Sequence, residues 1–584
     1  MKSLGTEPKL CNNLMCHHLH REYMKKTWIV YSIFPFLFPL NSIADTSLPA
    51  SSKHAMVVTE QRAASQVGLD ILKAGGNAID AAVAVGYALA VVNPCCGNIG
   101  GGGFMLIHFA NGKNTVINFR GKAPLKANKN MFLDTNGRIK PGSTTYGYLS
   151  AATPGTVLGL DTALSKYGSM SRKQVMAPAI KLAQQGFRVT DYDAKWFDIY
   201  TPAFRSQPNV AAIFLKNGEP YDSGELLIQT DLANTLKLIS EKGPDVFYKG
   251  GIAQQIVKSS QAHGGILTMQ DFAQYTVEES APIQCQYHGY NVISVPPPSS
   301  GGVTLCEMLS ILQNLPLQNH DYRSAQSIQY IVESMRYAFY DRNTQLGDPD
   351  FVNNPVKQLL SKEYISQLSQ RILETNEVKP EEMMVDIHEQ TDTTHFSIID
   401  KNGNAVAVTY TINGFFGANV IPDHLGFFLN DDMDDFTAGP GQSNKFNLVQ
   451  SSKNNIEPGK RPLSSMSPTV VMNNKDVFMI LGSPGGPRII TTVLLTLLNV
   501  IDYGMNIKQA IDAPRYHYQG IPDVIDIEPL AFSYQTSLNL KMMGYHLRPQ
   551  PTWAAVEAIL IDPKDKTIYG ANDYRRPDGA ALGY

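Results

Sequence analysis

The run Asp392-Thr393-Thr394-His395-Phe396-Ser397 holds residue types from which a nucleophile can be made. A threonine hydroxyl attacks poorly until a base takes its proton, and a threonine in mid-chain has no base of its own. Cutting the Asp392–Thr393 bond would supply one. The new α-amine of Thr393, with an ordinary pKa of about 7.7–8.0, is partly neutral near pH 7 and can accept the hydroxyl proton of the same residue. Threonine also fills strands for packing alone, and on these residues by themselves packing is the stronger reading.

Three further groups have chemical potential. Gly482-Ser483-Pro484-Gly485-Gly486 falls between an apolar strand pattern and the apolar helix pattern Ile489 to Ile501. Amides at a helix N-terminus are unpaired and partly positive, so Gly485 and Gly486 can hold an oxyanion; a tight turn needing glycine explains them equally. Arg120 closes the strand pattern Val116 to Phe119. It reads either as an ordinary surface charge or ion pair, or as a fork for a carboxylate. Asp431, Asp432, Asp434 and Asp435 flank Met433; they read as a solvated acidic turn or as partners for a cation. Their spacing does not fit an EF-hand loop, so no metal is expected.

The elements that must position these groups follow from periodicity. Phe396 to Asp400 and Ala405 to Tyr410 alternate in character around Asn402-Gly403, which predicts a hairpin with Thr393 and Thr394 at its mouth. Thr411-Ile412-Asn413 ends its second strand. Thr469 to Met472 and Val477 to Leu481 predict a second hairpin, running into the glycines. A helix is predicted from Thr59 to Gly75-Gly76, then one capped by Asn77 whose run Ile79 to Ala90 is apolar nearly all round and therefore buried. Gly100 to Gly103 lacks the sequence of a phosphate loop, and close backbone packing is the better reading. Residues 145–280 read as mostly helical. Pro296 to Gly302 reads as an ordered loop leading into a helix from Val303.

Taken together, Thr393-Thr394-His395, Thr411-Ile412-Asn413, Met433-Asp434-Asp435-Phe436, Arg461 to Pro468 and Gly482 to Gly486 closely resemble the γ-glutamyltranspeptidase family in order and spacing, from about Ala55 to Tyr584. Members are N-terminal-nucleophile hydrolases that cut themselves before the nucleophilic threonine. The resemblance implies an α+β fold, a four-layer αββα sandwich forming one domain from two fragments. It implies a large subunit at 45–392 and a small catalytic subunit at 393–584, together an obligate heterodimer. Thr393 would attack the γ-amide of glutathione and related compounds, with Thr411 near its amine and Gly485 and Gly486 as oxyanion donors. Arg120, Ser464 and Ser465 would take the α-carboxylate, and Asn413, Asp432 and Asp435 the ammonium. The γ-glutamyl group would pass to water, an amino acid or a peptide, with no cofactor. Two positions depart from the family pattern. Asp432 stands where Gln or Glu is usual, which shortens its reach, and Phe446 stands near where some bacterial members carry a lid tyrosine, which predicts a more open lid. Asp573 and Arg575 are expected to form a structural ion pair. A related acylase and a non-catalytic protein that has kept the fold are the alternatives; retention of Arg120, Asp435, Ser464 and Ser465 argues against the first, and the intact Thr393, Thr411 and Gly485-Gly486 against the second.

Composition sets the remaining bounds. The chain has 584 residues, 43% hydrophobic and 17% charged, with net charge −3. That permits a large core and offers no basic field for nucleic acid. Lys25-Lys26, the apolar run Thr27 to Leu40 and Asn41-Ser42-Ile43-Ala44 read as a signal peptide ending residues 1–44, which predicts export to a bacterial periplasm or beyond. Past that leader four cysteines remain, Cys95, Cys96, Cys285 and Cys306, read as small buried hydrophobes or one incidental disulfide.

Overall fold

The hairpin forms as its turn signal predicts. In the computed structural model, which describes residues 48–374 and 393–584, strands Thr394–Ile399 and Ala405–Thr411 pair antiparallel from Thr394↔Tyr410 to Ile399↔Ala405. Gly403 takes φ +89° between them, a backbone state open to glycine at little cost. The leader, Asp392 and the polar segment before it lie outside the described residues.

Both strands are buried along their whole length. The reason is their place in a seven-stranded sheet of order Ala580–Gly583, Met56–Thr59, Thr394–Ile399, Ala405–Thr411, Gly102–His108, Asn114–Asn118, Glu278–Ser280. A second seven-stranded sheet runs Ala50–Ser52, Ile568–Asn572, Glu557–Ile561, Asp476–Leu481, Thr469–Asn473, Tyr290–Ser294, Ile283–Tyr287. All pairings within the two sheets are antiparallel. Side chains alternate between faces with period two. Met56, Val58, Phe104 and Leu106 of the first sheet therefore meet Ile293, Val470, Met472 and Ile480 of the second in one apolar cluster. Val57, Phe396 and Ile398 point the other way, into a cluster with Val83 and Val67 of helices Ala78–Val92 and Arg62–Lys73. On the far side of the second sheet, Val471 and Met479 pack with residues of helices Gly301–Gln313, Ala325–Gln345 and Arg488–Ile501.

Local chemistry explains several of these elements. Asn77 caps helix Ala78–Val92 by accepting from the amides of Ile79 and Asp80, and Asp80 completes the capping box. Every residue of that helix is buried, as its all-round apolar run requires. The glycine run is packed backbone against backbone: a Cβ on Gly101 would lie 1.9 Å from the Thr411 carbonyl oxygen, and one on Gly100 2.0 Å from that of Phe428. Among the described residues no helix is long and apolar enough to cross a membrane.

The cysteines differ from expectation. Two disulfides are present, Cys95–Cys96 and Cys285–Cys306, rather than free thiols or a single bond. Strand Ile283–Tyr287 lies against helix Gly301–Gln313, which brings the Cα atoms of Cys285 and Cys306 to 5.7 Å, within bonding reach.

Candidate active site

Thr393 sits at the mouth of strand Thr394–Ile399, buried at 5% exposure. Its Oγ1 donates to Thr411 Oγ1 across the hairpin at 3.2 Å. Thr411 Oγ1 also accepts from the amide of Asn413 at 2.9 Å. Asn413 takes φ +75° at the end of its strand. Its Nδ2 donates to the Asp431 carbonyl at 3.0 Å, which leaves its Oδ1 as the end able to accept from an ammonium. A cavity opens beside Thr393, lined also by Arg120, Arg342, Thr411, Asn413, Asp435, Phe446, Ser464, Ser465 and Gly486.

The charged residues are bound to one another. Arg120 is fully buried; its Nη1 donates to Asp432 Oδ1 at 2.9 Å and its Nη2 to Asp435 Oδ2. Asp435 keeps 13% of its side chain exposed on the cavity side. Asp432 does not line the cavity. Sequence placed it on a ligand ammonium; instead it sits behind Arg120 with 0% side-chain exposure. Its short side chain ends at the guanidinium, and its second oxygen has no partner among the described residues. Burial pushes the Asp432 carboxyl up to about 7, against the pull of Arg120. Nor is the acidic cluster a solvated turn. Asp431 accepts from the Gly414 amide at 2.6 Å and pairs with Lys445 at 3.2 Å, and Asp434 accepts from the Lys445 amide at 3.1 Å.

The serines are set as donors. Ser464 Oγ accepts from the Met466 amide at 3.1 Å, and Ser465 Oγ accepts from Arg342 Nη2 at 3.2 Å. With an acceptor site filled on each oxygen, each hydroxyl proton is left to donate elsewhere. Their loop is braced by the Pro-rich one before helix Gly301–Gln313: the Ser464 amide donates to the Pro298 carbonyl at 2.8 Å, and the Ser300 amide to that of Ser464 at 2.8 Å.

Gly485 (φ +131°) and Gly486 (φ +52°) lie between strand Asp476–Leu481 and helix Arg488–Ile501. Their carbonyls accept from Arg488 and Ile489, while among the described residues neither of their own amides donates to a backbone carbonyl. Gly486 lines the cavity and Gly485 does not. Phe446 closes over this corner at 4% exposure, so close that a Cβ on Gly486 would stand 2.7 Å from its ring. The more open lid expected without a tyrosine hydroxyl is not what is found: Gln519 Nε2 holds the Phe446 carbonyl at 3.0 Å.

His395 takes no part in the cavity lining. It is fully buried, with Nδ1 on Thr409 Oγ1 at 2.8 Å and Nε2 on Ser397 Oγ at 3.1 Å, and burial pushes it down to about 3, which keeps it neutral. Asp573 and Arg575 pair as expected at 3.0 Å, and Arg515 joins them. Arg342 was not singled out by motif. A signal existed: it continues the stripe Ile331, Met335, Ala338 on the buried face of helix Ala325–Gln345, where an arginine is out of place.

The chain is similar to known proteins over most of its length. The Gamma-glutamyltranspeptidase family model matches residues 64–583. A glutathione hydrolase proenzyme of Pseudomonas sp. (strain A14) is 49% identical over 559 residues, covering 93% of this chain and 96% of that one. The protein of the same name from Escherichia coli (strain K12) is 45% identical, covering 92% and 93%. Among solved structures, a cephalosporin acylase from Bacillus halodurans superposes with TM-score 0.81 at 28% identity, covering 95% of this chain and 99% of that one. This chain, with its threonine-headed hairpin facing a buried arginine, belongs to the γ-glutamyltranspeptidase family.

Proposed function

We propose that the protein is a glutathione hydrolase and γ-glutamyltransferase that cuts itself between Asp392 and Thr393 and then uses Thr393 as nucleophile and base together. One observation carries the reading: a threonine at a strand head shares a cavity with a buried arginine, an exposed edge of a carboxylate and two serines poised to donate. A γ-glutamyl head bears one carboxylate and one ammonium, and a cavity that takes it must answer both charges.

In this reading Thr393 Oγ1 attacks the γ-amide carbonyl while the Thr393 amine accepts the hydroxyl proton. The developing oxyanion faces the amides of Gly485 and Gly486. Collapse breaks the C–N bond, and the Thr393 ammonium returns the proton to the departing amine. Water, or the amine of an amino acid or peptide, then attacks the ester and frees Thr393 Oγ1. Arg120, Ser464 and Ser465 hold the α-carboxylate; Asp435 and Asn413 accept from the ammonium; Asp432 fixes Arg120 from behind. Thr411 orients the Thr393 hydroxyl. In the same reading residues 1–44 direct export, 45–392 and 393–584 are the two subunits of an obligate heterodimer, and the two sheets with their outer helices form a four-layer αββα sandwich.

Purified protein is expected to give two bands under denaturing conditions, the smaller beginning at Thr393, and to release p-nitroaniline from γ-glutamyl-p-nitroanilide. Thr393→Ala should remain one chain and be inactive. Processed protein that leaves the anilide intact would end this reading. The likeness to a cephalosporin acylase favours a second one, acyl transfer from amides other than γ-glutamyl compounds. Glutaryl-p-nitroanilide separates the two, since without an ammonium it gives Asp435 and Asn413 nothing to accept from; faster cleavage of the glutaryl than of the γ-glutamyl compound would select the acylase.

A further inference from the structure

Arg342 is exceptional among the buried arginines. Arg120, Arg461, Arg488 and Arg515 each pair with a carboxylate: Asp432 and Asp435, Glu278, Asp526, and Asp573. Arg342 is 1% exposed, yet its partners are all neutral. Nε donates to Ser300 Oγ at 3.2 Å, Nη1 to Asn343 Oδ1 and Gln450 Oε1 at 2.8 Å each, and Nη2 to Ser465 Oγ at 3.2 Å. Among the described residues no carboxylate lies in ion-pair contact with it. A buried charge without a counter-ion is costly. Burial lowers its pKa only to about 10, so it stays cationic at neutral pH. It reaches the same cavity as Thr393.

We infer that Arg342 is the positioning residue of the carboxylate pocket: its charge, held in no direct ion pair among the described residues, and its hydrogen bond to Ser465 turn that hydroxyl into a fixed donor and let the site take an anion that Arg120, already carrying two aspartates, cannot hold alone. Arg120 is shared between Asp432 and Asp435, so a carboxylate arriving there meets one guanidinium that two carboxyl groups already hold. The additional cation lies on the serine side. Nη2 donates to Ser465 Oγ, so the serine proton cannot point back at the guanidinium and turns instead toward the open cavity. Four neutral partners around the planar fork fix the angle, a task for which a lysine ammonium has the charge but not the geometry. Arg342 thereby acts through Ser465 rather than on the reacting bond, and its loss falls on binding of the carboxylate-bearing head.

The inference rests on the proposed γ-glutamyl reading, and its test separates the two. Wild-type cleavage of γ-glutamyl-p-nitroanilide tests the reading; the variants test only Arg342. Arg342→Gln, Arg342→Lys, Ser465→Ala and the double variant Arg342→Gln/Ser465→Ala are prepared as full-length protein and checked for the two fragments. Arg342→Gln is expected to raise KM at least tenfold with kcat within threefold of wild type. Arg342→Lys should recover part of the KM, having the charge without the fork. Ser465→Ala should cost less than half as much in the Arg342→Gln background as in wild type. Equal losses in kcat, an unchanged KM, or effects of the two substitutions that multiply independently would overturn the assignment. Should Arg342→Gln not yield processed protein, Asn343→Leu removes one anchor of the guanidinium Nη1. A raised KM at constant kcat supports the inference there, and an unchanged KM overturns it.

Discussion

At the scale of the residue, Asp432 and Asp435 separate what the sequence joined. Both carboxylates bind Arg120, but only Asp435 reaches the cavity. Asp435→Asn should therefore act on substrate directly, losing a charged hydrogen bond worth about 1.5–3 kcal/mol, or about 10- to 150-fold in KM for γ-glutamyl-p-nitroanilide. Asp432→Asn should show mainly as a lower Tm, with a smaller rise in KM, because it unseats Arg120 from behind. A larger KM effect at Asp432 than at Asp435 would restore the sequence-based role for Asp432. Glu60 offers a second test. Its Oε1 accepts from the amide of His395, in the strand that follows Thr393, at 3.3 Å, and burial pushes its carboxyl up to about 7, with Arg576 pulling the other way. The folded protein therefore holds a proton that the unfolded chain releases near its ordinary value of about 4.3. That contribution is complete below the unfolded pKa and is lost as pH rises through about 7. Tm measured from pH 5 to 8 should fall more steeply for wild type than for Glu60→Gln; parallel profiles would show that Glu60 is ionised throughout.

At the scale of the element, the glycine run is a spacer for the hairpin. A Cβ on Gly101 meets the carbonyl of Thr411, the residue that holds the Thr393 hydroxyl. Gly101→Ala must push that strand end aside, at about 1–3 kcal/mol, and is expected to lower Tm and slow self-cleavage together. A lowered Tm with an undisturbed cleavage rate would detach the run from the site. Much at this scale was legible beforehand because it is written in neighbouring residues: Asn77 and Asp80 form their capping box, Asn402-Gly403 turns its hairpin, and Gly485-Gly486 falls at a strand-to-helix junction. What was not legible depends on residues far apart in the chain. Alternation around Asn402-Gly403 predicted the hairpin but not its surroundings: Thr394–Ile399 is buried on both faces, with helices on one side and a second sheet on the other. Cys285 and Cys306 gave no sign of pairing until a strand and the following helix were laid side by side. Arg342 had no motif, because its importance comes from neutral partners drawn from distant parts of the chain, Ser300, Gln450 and Ser465, rather than from neighbours in sequence.

At the scale of the whole molecule, the proposed subunits are interleaved. In the first sheet, Met56–Thr59 lies between Ala580–Gly583 and Thr394–Ile399, and Ala405–Thr411 pairs with Gly102–His108. In the second, Ala50–Ser52 pairs with Ile568–Asn572, and Tyr290–Ser294 with Thr469–Asn473. The site is divided the same way: Arg120 and Arg342 precede the proposed cut, and Thr393, Asp435, Ser464 and Gly486 follow it. Strand order across a sheet follows from none of the local signals, so this interleaving could enter the sequence reading only through family resemblance. Its consequence is physical. Parting the fragments would break backbone ladders in both sheets and expose the cluster of Met56, Val58, Phe104, Val470 and Ile480 to water, a loss of about 25 cal/mol for each Å² of apolar surface. The proposed cleavage would therefore remove one covalent bond while leaving the contacts that bind the pieces. The processed protein is expected to run as a single species in native mass spectrometry at micromolar dilution, and to unfold in one calorimetric transition that takes both fragments together. Two separate transitions, or free small fragment on dilution, would mean that each piece folds alone and that the sheets are not the bond between them.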